Sequence, residues 1–338
     1  MIGNKSVEVM KILVTTPTGK IGGRILPELL APEFSVRVLA RQPARLPEEI
    51  REQVEVVRGS SDDAATLRRA LDGVEALFWC VPTETFQEAD VERHYERFAR
   101  AGWQAIREAG TPRVVTISAG GKGLARKAGP ISALHGMEEI LNESGASIRH
   151  LRCGLFMENF LSQQRSIQRH GLISYPIAGH IPIPMVAASD IADVALRWLV
   201  RRDWDGIKGV AVHGPADLSY AEAAAAIGRV LERPVRHEEI SVEDYVQKLA
   251  GVKASAAYAR SQFEMFGALA QGIMRAEPRT PESTTPTRLG EWCGRELGQD
   301  MQSLPAESEA TAHSGLIPLA RIRPGGSSSH DARLIRLP

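Results

Sequence analysis

The chain has 338 residues, with 41 Lys plus Arg balanced by 41 Asp plus Glu for a formal net charge of zero. That length suits one large or two modest domains, and the balanced charge supplies no basic field for nucleic acid. No apolar run approaches the ~20 residues that span a bilayer, and the opening Met1-Ile2-Gly3-Asn4-Lys5 lacks the apolar core of a signal peptide.

The first strand is predicted at Lys11-Ile12-Leu13-Val14-Thr15, a β-branched run that passes straight into Thr16-Pro17-Thr18-Gly19-Lys20-Ile21-Gly22. A helical pattern at Ile25, Leu26, Leu29 and Leu30 follows. Strand, glycine turn and helix in that order present backbone N–H groups to a dinucleotide pyrophosphate, whereas a βα turn without a ligand is the alternative. Thr16 stands at the first glycine position of the pattern, with Gly19 at the second and Gly22 at the third. Gly19 lets the backbone approach a phosphate, and Gly22 lets the helix pack closely on the strand. Because a β-branched residue resists positive φ, the turn is expected to take a conformation that a non-glycine tolerates. Pro27 is expected to remove a hydrogen bond from the helix and bend it.

Further strands are predicted at Ser35–Ala40, Val54–Arg58, Ala76–Val81, Arg113–Ser118 and Ile148–Leu151. Helical patterns lie between them at Ala64–Leu71, from about Glu88 to Ala109, and at Ser132–Glu143. Such alternation argues for an α/β fold, a doubly wound parallel sheet of Rossmann type with ligands beyond the carboxyl ends of its strands. After Cys153 the pattern loosens: a helix over Met157–Arg169, a Gly/Pro-rich stretch from Ser174 to Pro184, and a helix to Val200 capped by Ser189 or Asp190. A strand at Val210–His213, a helix opened by the capping-box pair Ser219 and Glu222, and helices at Val242–Leu249 and Ala254–Met274 complete a smaller, mostly helical C-terminal lobe. The Ser/Ala/Pro/Gly-rich segment 300–338 reads as a disordered tail.

Cys80, Cys153 and Cys293 form no C-x-x-C, which fits packing thiols in a reducing, cytoplasmic compartment. There is no H-E-x-x-H, no clustered Cys and His and no G-x-S-x-G, so neither a metal nor a hydrolase is expected. Beyond the second strand the chain reads Leu39-Ala40-Arg41-Gln42, without the acid that accepts from a ribose 2′-hydroxyl. Arg41 instead suits a 2′-phosphate, with Arg37 and Arg45 as secondary candidates and a solvated loop arginine as the alternative.

These elements together resemble the NmrA-like NAD(P)-binding proteins of the atypical short-chain dehydrogenase/reductase superfamily, over Lys11 to about Leu297. The resemblance is carried by the T-x-T-G-x-x-G turn, by Val36–Pro43, by Val56-Val57-Arg58-Gly59 followed by Asp63, and by Ala70-Leu71-Asp72-Gly73-Val74. Val114–Ser118, Ser144-Gly145-Ala146, Phe156-Met157-Glu158-Asn159 and Ser189–Ala195 continue it. It implies NADP(H), with NAD(H) second, bound by Thr16, Thr18, Gly19, Lys20, Ile21, Gly22, Arg41, Cys80, Val81 and Pro82. It also implies a core at 8–155 and a substrate lobe at 156–299 interleaved with the last sheet elements at about 181–214. Phe156, Met157, Asn159 and Phe160 are the implied substrate residues, with core packing the alternative for this stripe. Ser60 stands where relatives often carry an adenine-recognising Asp, so either the adenine contact is weaker or Ser60-Ser61-Asp62 supplies it differently, and Cys153 replaces a proline usual after the sixth strand.

Ordinary short-chain dehydrogenases use a Tyr-x-x-x-Lys pair, yet none of Tyr95, Tyr175, Tyr220, Tyr245 and Tyr258 has a lysine four residues on. The corresponding region reads His135-Gly136-Met137-Glu138-Glu139. His135 is the candidate proton donor, Ser118 the candidate that orients a substrate carbonyl, and Lys122 a second group able to polarise an oxygen. Structural roles for all three are the alternatives. The expected function is hydride transfer from NADP(H) to a small carbonyl, quinone-like or related acceptor. A non-catalytic NADP(H) sensor acting through a protein partner is the second reading.

Overall fold

The computed structural model describes residues 9–83, 86–251 and 253–297; the expected tail at 300–338 and positions 8 and 298–299 of the expected domains lie outside them. In chain order, β1 (Met10–Thr15) leads through the glycine turn into α1 (Gly22–Glu28) and β2 (Phe34–Ala40). A short α2 (Glu48–Arg51), then β3 (Glu55–Arg58), α3 (Ala64–Ala70) and β4 (Ala76–Trp79) follow. The long α4 (Val91–Ala109), β5 (Arg113–Ala119), α5 (Pro130–Asn142) and β6 (Ser147–Cys153) complete the regular alternation. Next come β7 (Leu155–Phe156), a 3-10 helix at Met157–Gln163, α6 (Gln164–His170), β8 (Leu172–Tyr175), β9 (Ile183–Val186), α7 (Ala188–Leu199) and β10 (Ile207–Val212). The remainder is β11 (Asp217–Leu218), α8 (Tyr220–Val230), β12 (Arg236–Glu239), α9 (Val242–Gly251), α10 (Ala256–Ala270), a 3-10 helix at Ile273–Ala276, and α11 (Leu289–Trp292), which runs into a π-helical turn at Cys293–Leu297.

Seven strands form one sheet in the order β3-β2-β1-β4-β5-β6-β10, every pairing parallel. The order reverses between β1 and β4, which opens a crevice at their carboxyl ends. Alternating side chains serve opposite faces: Ile12 and Val14 pack with Ile25 of α1 and Ile191 of α7, and Leu13 packs with Leu67 of α3 and Phe98 of α4. The third cluster joins Phe160, Tyr175, Tyr220, Phe266 and Trp292 from the elements after β6.

Tertiary packing decides the departures from the predicted elements. Thr16 does adopt positive φ, at 50°, so the turn keeps the conformation of a first glycine despite its β-branched residue. The single helix expected over Met157–Arg169 divides into a 3-10 helix and α6. β8 and β9 arise in stretches without strand periodicity because partners distant in sequence, β12 and then β7 and β11, satisfy their backbones. Neither Ser189 nor Asp190 caps α7: its N-cap is Ala187, and the Ala188 N–H donates to both Glu158 carboxylate oxygens at 3.1 Å. Asp190 instead accepts from the Thr287 N–H at 2.9 Å and from its hydroxyl at 2.5 Å. The capping box of Ser219 and Glu222 forms as predicted.

A buried polar link braces β5, β6 and α5. His150 Nε2 donates to the Asn142 side-chain oxygen at 2.8 Å, while Nδ1 accepts from the Thr116 hydroxyl at 2.7 Å. Burial pushes this ring down to about 4, and a neutral imidazole satisfies both partners.

Two outcomes follow from this packing. A Cβ on Gly22 would enter the Thr16 carbonyl, so Gly22→Ala should cost about 1–3 kcal/mol of unfolding free energy, measured by urea denaturation. His150 binds its proton more weakly folded than unfolded, so its contribution to stability is present above pH 6.5 and fades as pH falls toward 4. The wild type should lose on the order of 3 kcal/mol from this ring across that window, and His150→Gln should unfold with a shallower pH dependence; equal slopes reject the role.

Candidate functional site

The carboxyl ends of β1, β4, β5 and β6 converge on the crevice. At β1, the Thr15 hydroxyl donates to the Phe78 carbonyl at 3.0 Å and accepts from the Cys80 N–H at 3.0 Å, which locks the ends of β1 and β4 together. The Gly19 N–H closes the turn onto the Thr16 carbonyl at 2.9 Å. A Cβ on Gly19 would stand 3.1 Å from that same oxygen, so both glycines are demanded by one carbonyl. Thr18 and Lys20 are exposed, whereas Ile21 is buried as the N-cap residue of α1. The turn therefore has the shape of a phosphate cradle: small residues at its close approaches and the opening N–H groups of a helix beyond it.

Arg41, beyond β2, is exposed and has no ion-pair partner among the described residues. Arg37 is buried instead, donating to the carbonyls of Ala70 at 2.7 Å and Asp72 at 2.9 Å and pairing with Glu55 at 2.8 Å, so its charge serves the fold. Near the expected adenine contact, Asp62 pairs with Arg97 at 3.1 Å and Asp63 caps α3. Beyond β4, Val81 is buried and Pro82 half-buried. Burial pushes the Cys80 thiol up to about 11, which keeps it protonated at neutral pH.

All three candidate catalytic groups are engaged by the protein. Ser118 is 2% exposed, and its hydroxyl donates to a Glu138 oxygen at 2.6 Å. Arg152 holds the same carboxylate in a fork of 3.1 and 2.7 Å. Burial alone would raise the Glu138 carboxyl, but the Arg152 fork and the neighbouring His150 and Ser118 outweigh it and hold Glu138 below the ordinary range. Arg152 also lies 3.6 Å from Glu277, which accepts from the Gly121 N–H at 2.6 Å. His135 Nε2 donates to the Ala119 carbonyl at 2.9 Å, and burial lowers the ring's affinity for a second proton. Lys122 donates to the His135 carbonyl at 3.1 Å and pairs with Glu139 at 2.8 Å. As placed, Ser118 and His135 each spend their one proton on the protein, and Lys122 commits two of its three N–H groups, to the His135 carbonyl and Glu139.

The F-M-E-N segment divides by exposure. Met157 and Phe160 are each 1% exposed and belong to the core cluster, Phe160 facing the rings of Tyr220 and Trp292. Their packing matches the core role given above as the alternative to lining a cleft. Phe156 is half-buried and Asn159 exposed.

Glu158, between them, was no candidate in the sequence, yet its buried carboxylate caps α7 and accepts from the Trp292 indole at 3.0 Å. Lys20 in the turn reaches the Glu158 carbonyl at 3.5 Å. Arg24 of α1 pairs with Glu296 at 2.7 Å, so the end of the described chain is fastened to the dinucleotide-type turn. His94 holds the Pro82 carbonyl at 2.8 Å. Glu138 had a sequence signal, its place in the helix that replaces Tyr-x-x-x-Lys, but Glu158, Glu277 and His94 sit in no spacing that marks them.

A family model described as the NmrA-like family matches residues 8–292. A (4-alkanoyl-5-oxo-2,5-dihydrofuran-3-yl)methyl phosphate reductase of Streptomyces griseus is 34% identical over 233 residues, covering 69% of this chain and 78% of that protein. An NAD(P)H azoreductase of Xenophilus azovorans is 28% identical over 258 residues, covering 75% and 86%. Among solved structures, an NADPH-dependent quinone oxidoreductase of Escherichia coli complexed with NADPH superposes with a TM-score of 0.71 at 22% identity, covering 83% of this chain and 98% of that one. With a match that runs from ahead of β1 to the end of α11, the chain belongs to the NmrA-like family.

Proposed function

We propose that this protein binds NADP(H) across the carboxyl ends of β1, β2, β4 and β5 and passes hydride to an electron-poor acceptor of the quinone class. In this reading Thr16, Thr18, Gly19, Lys20, Ile21 and Gly22 surround the pyrophosphate, and Arg41 meets the 2′-phosphate. Cys80, Val81 and Pro82 flank the nicotinamide half beside Ser118. NADPH, when bound, supplies the hydride. Phe156 and Asn159 meet the acceptor, and the core at 8–155 works with a substrate lobe at 156–299 interleaved at about 181–214. The reductase, azoreductase and quinone oxidoreductase names of the relatives and neighbour support an oxidoreductase.

The observation that carries the acceptor class is the commitment of Ser118, His135 and Lys122 to Glu138, Ala119 and Glu139. A simple ketone needs a proton at oxygen as hydride reaches carbon, or a strongly basic alkoxide forms. A quinone that gains hydride becomes a stabilised phenolate-type anion, which takes its proton from water afterwards. The protein's task is then to hold the two partners in register and to keep water from the transferring hydride, a task of positioning rather than acid catalysis. Ser118, with its proton on Glu138, remains able to accept a hydrogen bond.

NADPH consumption should be fast with quinones and slow with unactivated ketones, and His135→Ala and Lys122→Ala should each keep kcat within about threefold. A loss of the 10²–10⁴-fold typical of a general acid would reject this mechanism. Tight NADPH binding without turnover on any quinone or carbonyl would favour the non-catalytic sensor with a protein partner. Arg41→Ala should weaken NADPH by about tenfold or more and NADH little, as expected for a charge-assisted phosphate contact; equal losses in calorimetric titrations would remove Arg41 from the site.

A further inference from the structure

His94 lies in the first turn of α4, 6% exposed, and is enclosed on its own helix by the rings of Tyr95 and Phe98 at 5.3 and 5.1 Å. Its Nε2 is 2.8 Å from the Pro82 carbonyl and its Nδ1 is 3.2 Å from a Glu88 carboxylate oxygen. Both partners accept hydrogen bonds and neither donates. A neutral imidazole has one N–H, so it can satisfy one oxygen only and must turn a lone pair toward the other. The imidazolium satisfies both, and Glu88 supplies the counter-charge that a buried cation requires.

The contrast with His150 is stereochemical. There one partner is a hydroxyl and the other an amide oxygen, so a neutral ring is fully paired. Around His94, Glu88 is itself held: its second oxygen accepts from the Ala89 N–H at 3.2 Å, and its backbone carbonyl accepts from the Ser255 hydroxyl at the N-cap of α10. The Ser255 N–H donates to the Phe86 carbonyl at 2.6 Å, and Phe86 packs edge-on against Tyr258. Among the described residues, Glu88 is the charged group hydrogen-bonded to the ring. Among the described residues, no hydrogen bond or ion pair joins His94 to α3, α5 or α10, the other helices packed on α4.

We propose that His94 is a positioning residue for the cofactor: as an imidazolium it ties the Pro82 carbonyl at the end of β4 to Glu88 and α4, and NADP(H) binds less tightly once that proton is lost. The cofactor half of this proposal rests on the function proposed above; the charge state rests on the two acceptors alone. The sign is set by the cation: the hold is complete at low pH and is lost as pH rises. Ionisation of the 2′-phosphate, near 6 for phosphate monoesters, acts in the opposite direction and cannot imitate it.

The test uses the full chain. In the ¹⁵N-labelled protein without cofactor, the His94 ring, assigned by its absence from His94→Gln, should carry protons on both nitrogens at the pH values where NADPH binds tightly; a singly protonated ring there overturns the proposal. In calorimetric titrations with NADPH, Kd of the wild type should rise about fivefold or more from about pH 6.5 to about pH 9. Glu88→Gln turns the acceptor into a donor that a neutral ring can accept from, so it should stay tight across the range, whereas His94→Gln should stay weak. A flat wild-type profile, or an unaltered slope in Glu88→Gln, overturns the positioning role. No NADPH binding at any pH would overturn the proposed function and this cofactor role together, while the ring spectra would still decide the charge.

Discussion

The ion pair between buried Glu138 and half-buried Arg152 governs the candidate site. It joins α5 to β6, takes the hydroxyl proton of Ser118 on β5, and through Arg152 approaches Glu277, which holds the Gly121 N–H of the loop beyond β5. Gly209 on β10 leaves room for the guanidinium, which lies 2.5 Å from where a Cβ would stand. Removing Arg152 leaves the buried Glu138 charge without its ion-pair partner, a cost of about 3–5 kcal/mol. The arrangement therefore resists change, and Ser118 is held in a fixed orientation. What it loses as a proton donor it retains as a rigid wall beside the crevice.

The chemistry of the crevice follows from which atoms accept and which donate. His135 spends its N–H on a backbone carbonyl, and His150 stands between a donor and an acceptor, so both are complete as neutral rings. His94 stands between two acceptors and is complete only as a cation. His94, His135 and His150 are thus set apart by whether the atoms beside each ring donate or accept. Burial alone would have treated them alike.

Most of the sheet was legible in the sequence, because strands buried on both faces read as apolar runs and the helices between them as amphipathic patterns. The regular strands from β1 to β6 and β10 fall within a few residues of their predicted positions. The glycine turn was legible in kind but not in conformation. Thr16 takes φ 50° because its carbonyl must receive Gly19 and lie against Gly22, and that geometry outweighs the reluctance of a β-branched residue. Met157 and Phe160 stood at a spacing that suits a core or a cleft equally, and only the aromatic cluster that encloses them decides for the core.

By itself, the sequence determined the order of elements, the dinucleotide-type turn, the absence of an acid beyond β2 and of a Tyr-x-x-x-Lys pair, and with these the family. All are local patterns, encoded by residues within a turn or two of one another. Tertiary structure alone decided which polar atoms are already spent. Ser118 meets Glu138 across 20 residues, Gly121 meets Glu277 across 156, and Glu158 caps α7 across 30 and binds Trp292 across 134. A hydrogen bond has no sequence spacing of its own, so whether a serine or histidine is free for chemistry depends on what the fold brings within about 3 Å of it.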